Sequence, residues 1–183
     1  MKKVCVFLAD GFEEIEGLTV VDILRRAGVE TETVSVMGRK QIHGSHDILV
    51  EADKLFEEAD IAAADMLVLP GGMPGTLNLK AHEGLKGQLL AFDSQGKYLA
   101  AICAAPTVLS ELGLLKGKKA CAYPSFEDQL DCGEVLRVPT VTDGNITTGR
   151  GMGAAIPFAL KLTAILCGEE KAEEVKASIV YEG

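Results

Sequence analysis

The chain has 183 residues, 48% of them hydrophobic and 25% charged, with a formal net charge of -9 and a pI near 4.9. That balance belongs to a globular protein able to bury a core, and it argues against a nucleic-acid partner, because displacing counterions from phosphates needs a basic face. No apolar run approaches the roughly 20 residues that cross a bilayer, Val4 to Ala9 is too short for a secretory core, and the five cysteines are odd in number and scattered, so the expectation is a reduced, cytoplasmic protein with no membrane partner.

Lys3 to Ala9 is a continuous β-branched and apolar run, read as a first strand and broken by Asp10-Gly11. Leu18 to Arg26 carries apolar residues at helical spacing and ends at Gly28. Thr31 to Met37 supplies a second strand, and Gln41 to Val50 alternates around Gly44-Ser45 as a hairpin does. Met66 to Leu69 is a short buried strand stopped by Pro70-Gly71-Gly72. Leu85 to Phe92 is predicted helical, Tyr98 to Ile102 is another apolar strand, and Pro106 to Leu112 is a helix closed by Gly113. Lys119 to Ala122 and Thr140 to Thr142 are further strands, with Asn145 to Thr148 after an Asp143-Gly144 hairpin turn. Ala154 to Leu166 is a strongly apolar helix ending at Gly168, and an amphipathic charged segment follows it.

Apolar strands separated by helices are what a parallel sheet covered on both faces requires. The fold class is therefore α/β, a flavodoxin-like three-layer sandwich with a doubly wound, mostly parallel sheet, in one domain over residues 1–183. In such sheets ligands collect beyond the carboxyl ends of the strands, so Asp10 to Glu16, Pro70 to Gly75 and Cys103 to Pro106 are expected to share one neighbourhood.

Cys103 ends a strand and is followed by Ala104-Ala105-Pro106, with proline suited to the first turn of a helix, the layout of a nucleophile elbow. Helix N-terminal N–H groups are expected to lower its pKa below the free value of about 8.5. The competing reading is a buried apolar filler, and the residues alone leave both open. Cys5, Cys121 and Cys167 read as packing residues and Cys132 as a loop cysteine. Among the acids after the first strand, one facing inward would serve as a proton donor and acceptor with a raised pKa, while Glu13 and Glu14 read as solvated. Gly71 and Gly72 allow main-chain N–H groups to approach a substrate oxygen, an oxyanion site. All three histidines, His43, His46 and His82, precede Cys103, which disfavours a Cys-His hydrolase, and no CxxC or HxxxH pair suggests a metal. Nothing in the sequence points to a local basic patch.

Gly11-Phe12-Glu13-Glu14-Ile15-Glu16, Leu69-Pro70-Gly71-Gly72 and Ala101-Ile102-Cys103-Ala104-Ala105-Pro106 occur in the order seen in the ThiJ/PfpI superfamily. The chain most closely resembles its DJ-one branch, the parkinsonism-associated deglycase proteins and their bacterial relatives. The resemblance spans nearly the whole chain and includes Gly149-Arg150-Gly151-Met152-Gly153. It implies a class I glutamine amidotransferase-like fold, Cys103 as an oxidisable nucleophile and Glu16 as its protonated partner. Gly71, Gly72 and Ala104 are implied as main-chain groups beside the thiol. It further implies a homodimer, with Arg150 as a candidate contact from the partner subunit. Where some members carry histidine this chain has Tyr123, and Met152 replaces a frequent proline.

The function the resemblance implies is a cofactor-free, glyoxalase III or deglycase-like enzyme that converts dicarbonyls such as glyoxal and methylglyoxal to hydroxy acids. Cys103 forms a hemithioacetal and Glu16 moves protons. The alternative is an oxidative-stress sensor or redox-regulated chaperone acting through Cys103 oxidation, with no enzymatic turnover. A peptidase survives only by superfamily analogy.

Overall fold

Strand β1 (Lys3–Leu8) directs Val4, Val6 and Leu8 to one face of its sheet and Cys5 and Phe7 to the other, the two-residue period of extended chain. β6 (Met66–Leu69) and β7 (Tyr98–Ile102) divide in the same way, with Met66, Val68, Ala100 and Ile102 on the first face and Leu67, Leu69, Leu99 and Ala101 on the second. Each face buries an apolar cluster of 21 residues. Neither face can be left to water, so helices cover both.

The computed structural model describes residues 1–183. After β1 the chain runs through α1 (Glu14–Arg26), β2 (Glu30–Ser35), β3 (Gln41–His43), β4 (Leu49–Glu51) and β5 (Lys54–Leu55). β6, α2 (Gly75–Ala81), α3 (Glu83–Ser94), β7, α4 (Pro106–Glu111), β8 (Lys119–Ala120) and β9 (Glu134–Val135) follow, then β10 (Thr140–Asp143), β11 (Ile146–Gly149), α5 (Ala155–Cys167) and α6 (Glu169–Ser178). The main sheet has seven strands in the order β10-β11-β7-β6-β1-β2-β5. All its pairs are parallel except the β10-β11 hairpin. This is the flavodoxin-like sandwich expected from the sequence.

The topology fixes where the site lies. β1 pairs with β2 on one side and β6 on the other, so the winding reverses at β1 and opens a crevice between the loops after β1 and β6. β7 pairs with β6, which adds the loop after Ile102 to the same edge.

Local structure departs from the sequence expectations in four places. α1 begins at Glu14 rather than Leu18, because Glu13 caps it by accepting the Glu16 N–H at 2.8 Å, and acids in a first turn suit the positive end of the helix dipole. Gly75 opens α2, a helix of 7 residues too short and too poor in apolar periodicity to show in the sequence. The Lys119 to Ala122 strand shrinks to Lys119–Ala120 and pairs with β9 outside the main sheet. β5 adds a two-residue edge strand beside β2.

Candidate active site

A non-glycine residue rarely adopts positive φ, yet Cys103 sits at φ 66. The strain, on the order of 1–3 kcal/mol, is held by two main-chain bonds: Cys103 N–H donates to Gly149 O and Tyr123 N–H donates to Cys103 O, both at 2.9 Å. The elbow turns the thiol out of β7 and toward the β1 and β6 loops. Small buried Ala104 and Ala105 leave it room, and Pro106 enters α4 at its first turn.

Glu16 reaches the same point from α1 and is only 1% exposed. Its Oε2 accepts the Gly71 N–H at 2.9 Å, while Oε1 is buried with no hydrogen-bond partner. Burial pushes its pKa up to about 7, with help from the Glu13 charge and against the pull of Cys103 and the Gly71 N–H.

Cys103 is pushed up to about 12, first by burial and then by Glu16, while the Gly72 and Ala104 N–H groups pull the other way. The sequence expectation of a thiol lowered by a helix terminus is thus corrected. α4 has only 6 residues and a weak dipole, and a buried carboxylate opposes the thiolate. The two groups titrate as a pair: the first proton leaves near neutrality and the second is held far higher. Glu16 ionises first and the thiol keeps its proton, so a thiolate requires the proton to pass from Cys103 to Glu16.

The glycines divide their tasks. The Gly71 N–H is taken by Glu16, so its place at the site is one of close approach rather than free donation. A Cβ there would lie 2.6 Å from Cys103 Cβ and 2.7 Å from Glu16 Oε2. Gly72, at φ 90, and Ala104 keep their N–H groups on the sulfur side.

Glu13 and Glu14, read from the sequence as solvated, are not. Glu13 is the α1 cap, and Glu14 is buried under the β3-β4 hairpin. His46 N–H donates to Glu14 Oε1 at 2.8 Å and His46 Nδ1 lies 2.8 Å from Oε2. Burial raises the Glu14 pKa, but His46 and surrounding main-chain N–H groups overcome it and hold the carboxyl at about 2. Glu13, Glu14 and His46 offer three ligand-type atoms within 4.8 Å of one another, an arrangement accounted for by capping and clamping. The other histidines stay out of the site, His43 on β3 and His82 capping α3 through the Leu85 N–H.

Arg150 is tied within its own subunit: Nη2 lies 3.5 Å from Glu127 Oε1, and Arg137 Nε is 3.2 Å from Glu127 Oε2. Both arginines line a cavity of about 590 Å³ with Tyr123, Met152 and Tyr181. This is a local basic patch that the sequence did not suggest. Glu127 lies in a short 3-10 helix, Pro124–Gln129, and Arg137 in the loop after β9, where no periodicity or motif pairs them.

Residues 2–165 match the model of the DJ-1/PfpI family. The chain is 38% identical to protein dj-1beta of Drosophila melanogaster over 98% of its own length and 97% of that protein's. It is 31% identical to a glutathione-independent glyoxalase DJ-1 of Schizosaccharomyces pombe, with 98% of each chain covered. Against two DJ-1 homologs of Arabidopsis thaliana it spans less than half of the relative, 46% and 41%. Among solved structures, oxidized Toxoplasma gondii DJ-1 superposes with a TM-score of 0.96 at 38% identity, covering 100% of both chains. No helix is long and apolar enough to cross a membrane.

Proposed function

The chain belongs to the DJ-1/PfpI family, and on that premise we propose that it is a cofactor-free glyoxalase, a single cytoplasmic domain converting α-oxoaldehydes to hydroxy acids. One observation carries the reading: Cys103 is held at φ 66 opposite the carboxyl of Glu16, which is 1% exposed and has one oxygen without a hydrogen-bond partner. The glyoxalase named in fission yeast supports it at 31% identity.

In this mechanism the Cys103 thiolate attacks the aldehyde carbon of methylglyoxal, and the oxygen takes a proton to give a hemithioacetal. Glu16, as carboxylate, removes the hydrogen on that carbon and an enediol forms. Returning the proton to the neighbouring carbon leaves a thioester of the hydroxy acid, which water hydrolyses to lactate and free thiol. The aldehyde carbon is oxidised and the ketone carbon reduced within one molecule, so no outside oxidant or cofactor is needed. The Gly72 and Ala104 N–H groups stabilise the negative charge as it develops.

Wild type, Cys103→Ser and Glu16→Gln, each shown to be folded, are compared for methylglyoxal loss and lactate formation without glutathione. Lactate from the wild type alone supports the reading; three preparations at background refute it. Repair of glycated proteins is a separate claim, since removal of free dicarbonyl mimics it.

Exposed Ile15 and Leu18 on α1 and Ile48 and Leu49 at the hairpin support the homodimer. The Glu14-His46 clamp holds the start of α1 and the hairpin together.

A second reading, oxidation sensing, is favoured by the unpartnered Oε1 of Glu16. Protonated there, Glu16 would donate to a sulfinate oxygen on Cys103. Mass spectrometry after mild peroxide that finds two oxygens confined to Cys103, in a protein without dicarbonyl turnover, favours sensing.

A further inference from the structure

The cavity beside the elbow has features that the turnover of methylglyoxal does not use. Its walls begin at the two segments bonded to the Cys103 backbone. The chain leads from Tyr123 into Pro124 on one side, and from Gly149 into Arg150 and Met152 on the other. Cys103 and Glu16 do not themselves line the cavity, so a molecule with its reacting end at Cys103 has to reach past one of these segments to enter it.

The charge inside does not balance. Arg137 and Arg150 share one buried carboxylate, Glu127, leaving one positive charge unmatched in a chain of net charge -9. The hydrogen bonding does not balance either. Arg150 Nε and Glu127 Oε1 are buried without partners, and the Arg150-Glu127 approach of 3.5 Å joins the two charges without making a hydrogen bond. Buried unsatisfied donors are uncommon, and although Arg150 Nε is itself shielded, the Arg150 side chain as a whole is 37% exposed and can meet an oxyanion through its open nitrogens. Arg137 engages Glu127 through Nε alone, and its side chain is 77% exposed, so its terminal nitrogens stay available.

Resting on the glyoxalase reading, we propose that this cavity binds the carboxylate of an acidic α-oxoaldehyde, and that Arg137 and Arg150 select such substrates for attack by Cys103. A single unmatched charge fits a monoanionic carboxylate better than a phosphate dianion. The apolar walls at Pro124, Met152 and Pro157 take the carbon chain between carboxylate and carbonyl. Glu127 orients the arginines and competes with the ligand for them.

Binding is tested apart from turnover, with levulinate, its methyl ester and inorganic phosphate titrated calorimetrically into Cys103→Ser protein. Levulinate is expected to bind at least about tenfold more tightly than the ester, the scale of one charge-assisted pair. Arg137→Gln is expected to weaken levulinate about tenfold, whereas Glu127→Gln, which frees both guanidinium groups, strengthens it. With Cys103 intact, the substrate is dioxovalerate, an α-oxoaldehyde whose carboxylate stands two methylenes from the reacting end. The ratio of its kcat/KM to that of its methyl ester is expected to fall in Arg137→Gln and rise in Glu127→Gln. Equal affinity for levulinate and ester, indifference to both substitutions, or tighter binding of phosphate than of levulinate overturns the proposal. Arginine-dependent levulinate binding in a protein that turns over no α-oxoaldehyde sustains the cavity's assignment and refutes the glyoxalase reading. Methylglyoxal turnover with no preference for acid over ester does the reverse.

Discussion

Replacing Glu16 by glutamine removes the ionisation that the fold most opposes. In the folded chain Glu16 loses its proton at about 7 against an ordinary 4.5, because burial at 1% exposure disfavours the charge. A folded-state pKa above the unfolded value means that stability is fully present below pH 4.5. It declines as pH rises, because the unfolded chain ionises first, and the decline ends once pH passes the folded value near 7. The interval corresponds to about 3 kcal/mol. Denaturant unfolding of wild type and Glu16→Gln at half-unit steps from pH 4 to 8 isolates this contribution, since titrating groups not coupled to Glu16 cancel in the difference and the Cys103 thiol stays protonated across the window. Wild type is expected to lose about 3 kcal/mol relative to the variant across that window. A difference that stays constant from pH 4.5 to 8 would refute the raised pKa and, with it, Glu16 as a proton shuttle near neutrality.

Gly71→Ala places a methyl 2.6 Å from Cys103 Cβ and 2.7 Å from Glu16 Oε2. It is expected to cost about 1–3 kcal/mol of stability and to slow Cys103 alkylation by iodoacetamide, so an unchanged labelling rate counts against close approach as the reason for glycine. Glu14→Gln acts with the opposite pH sign. Its carboxyl is held at about 2, so the stability it contributes is present above 4.5 and is lost as pH falls toward 2. The gap between variant and wild-type denaturation midpoints should close below pH 4.5, and a gap that persists at pH 2 argues against an ion pair with His46. Ile48→Asp with Leu49→Asp puts two charges on the exposed hairpin face. Sedimentation is expected to show the monomer, and an unaltered dimer moves the interface elsewhere.

The sheet and its site-bearing edge were legible in the sequence because β1, β6 and β7 are apolar on both faces, a pattern with few other uses, and because Asp10-Gly11, Pro70-Gly71-Gly72 and Cys103 interrupt them abruptly. Elements whose identity depends on neighbours were less legible. β8 pairs with β9 rather than the main sheet, and α2 follows directly from the glycine loop. Within the site, motif resemblance separated Glu16 from Glu13 and Glu14. What those two acids do was hidden, since a hairpin about 30 residues away closes over Glu14 while Glu13 turns back to cap its own helix.

The sequence by itself determined the α/β class and the order of the strands along the chain, because hydrophobic period and turn chemistry are local properties, and it placed Cys103 at a strand-to-helix turn, while Glu16 was singled out by motif resemblance. Only the tertiary structure decided the proton balance of the pair and the gathering of Arg137, Arg150 and Glu127 around one cavity. Burial and charge proximity set both, and neither exists until segments far apart in the chain pack together.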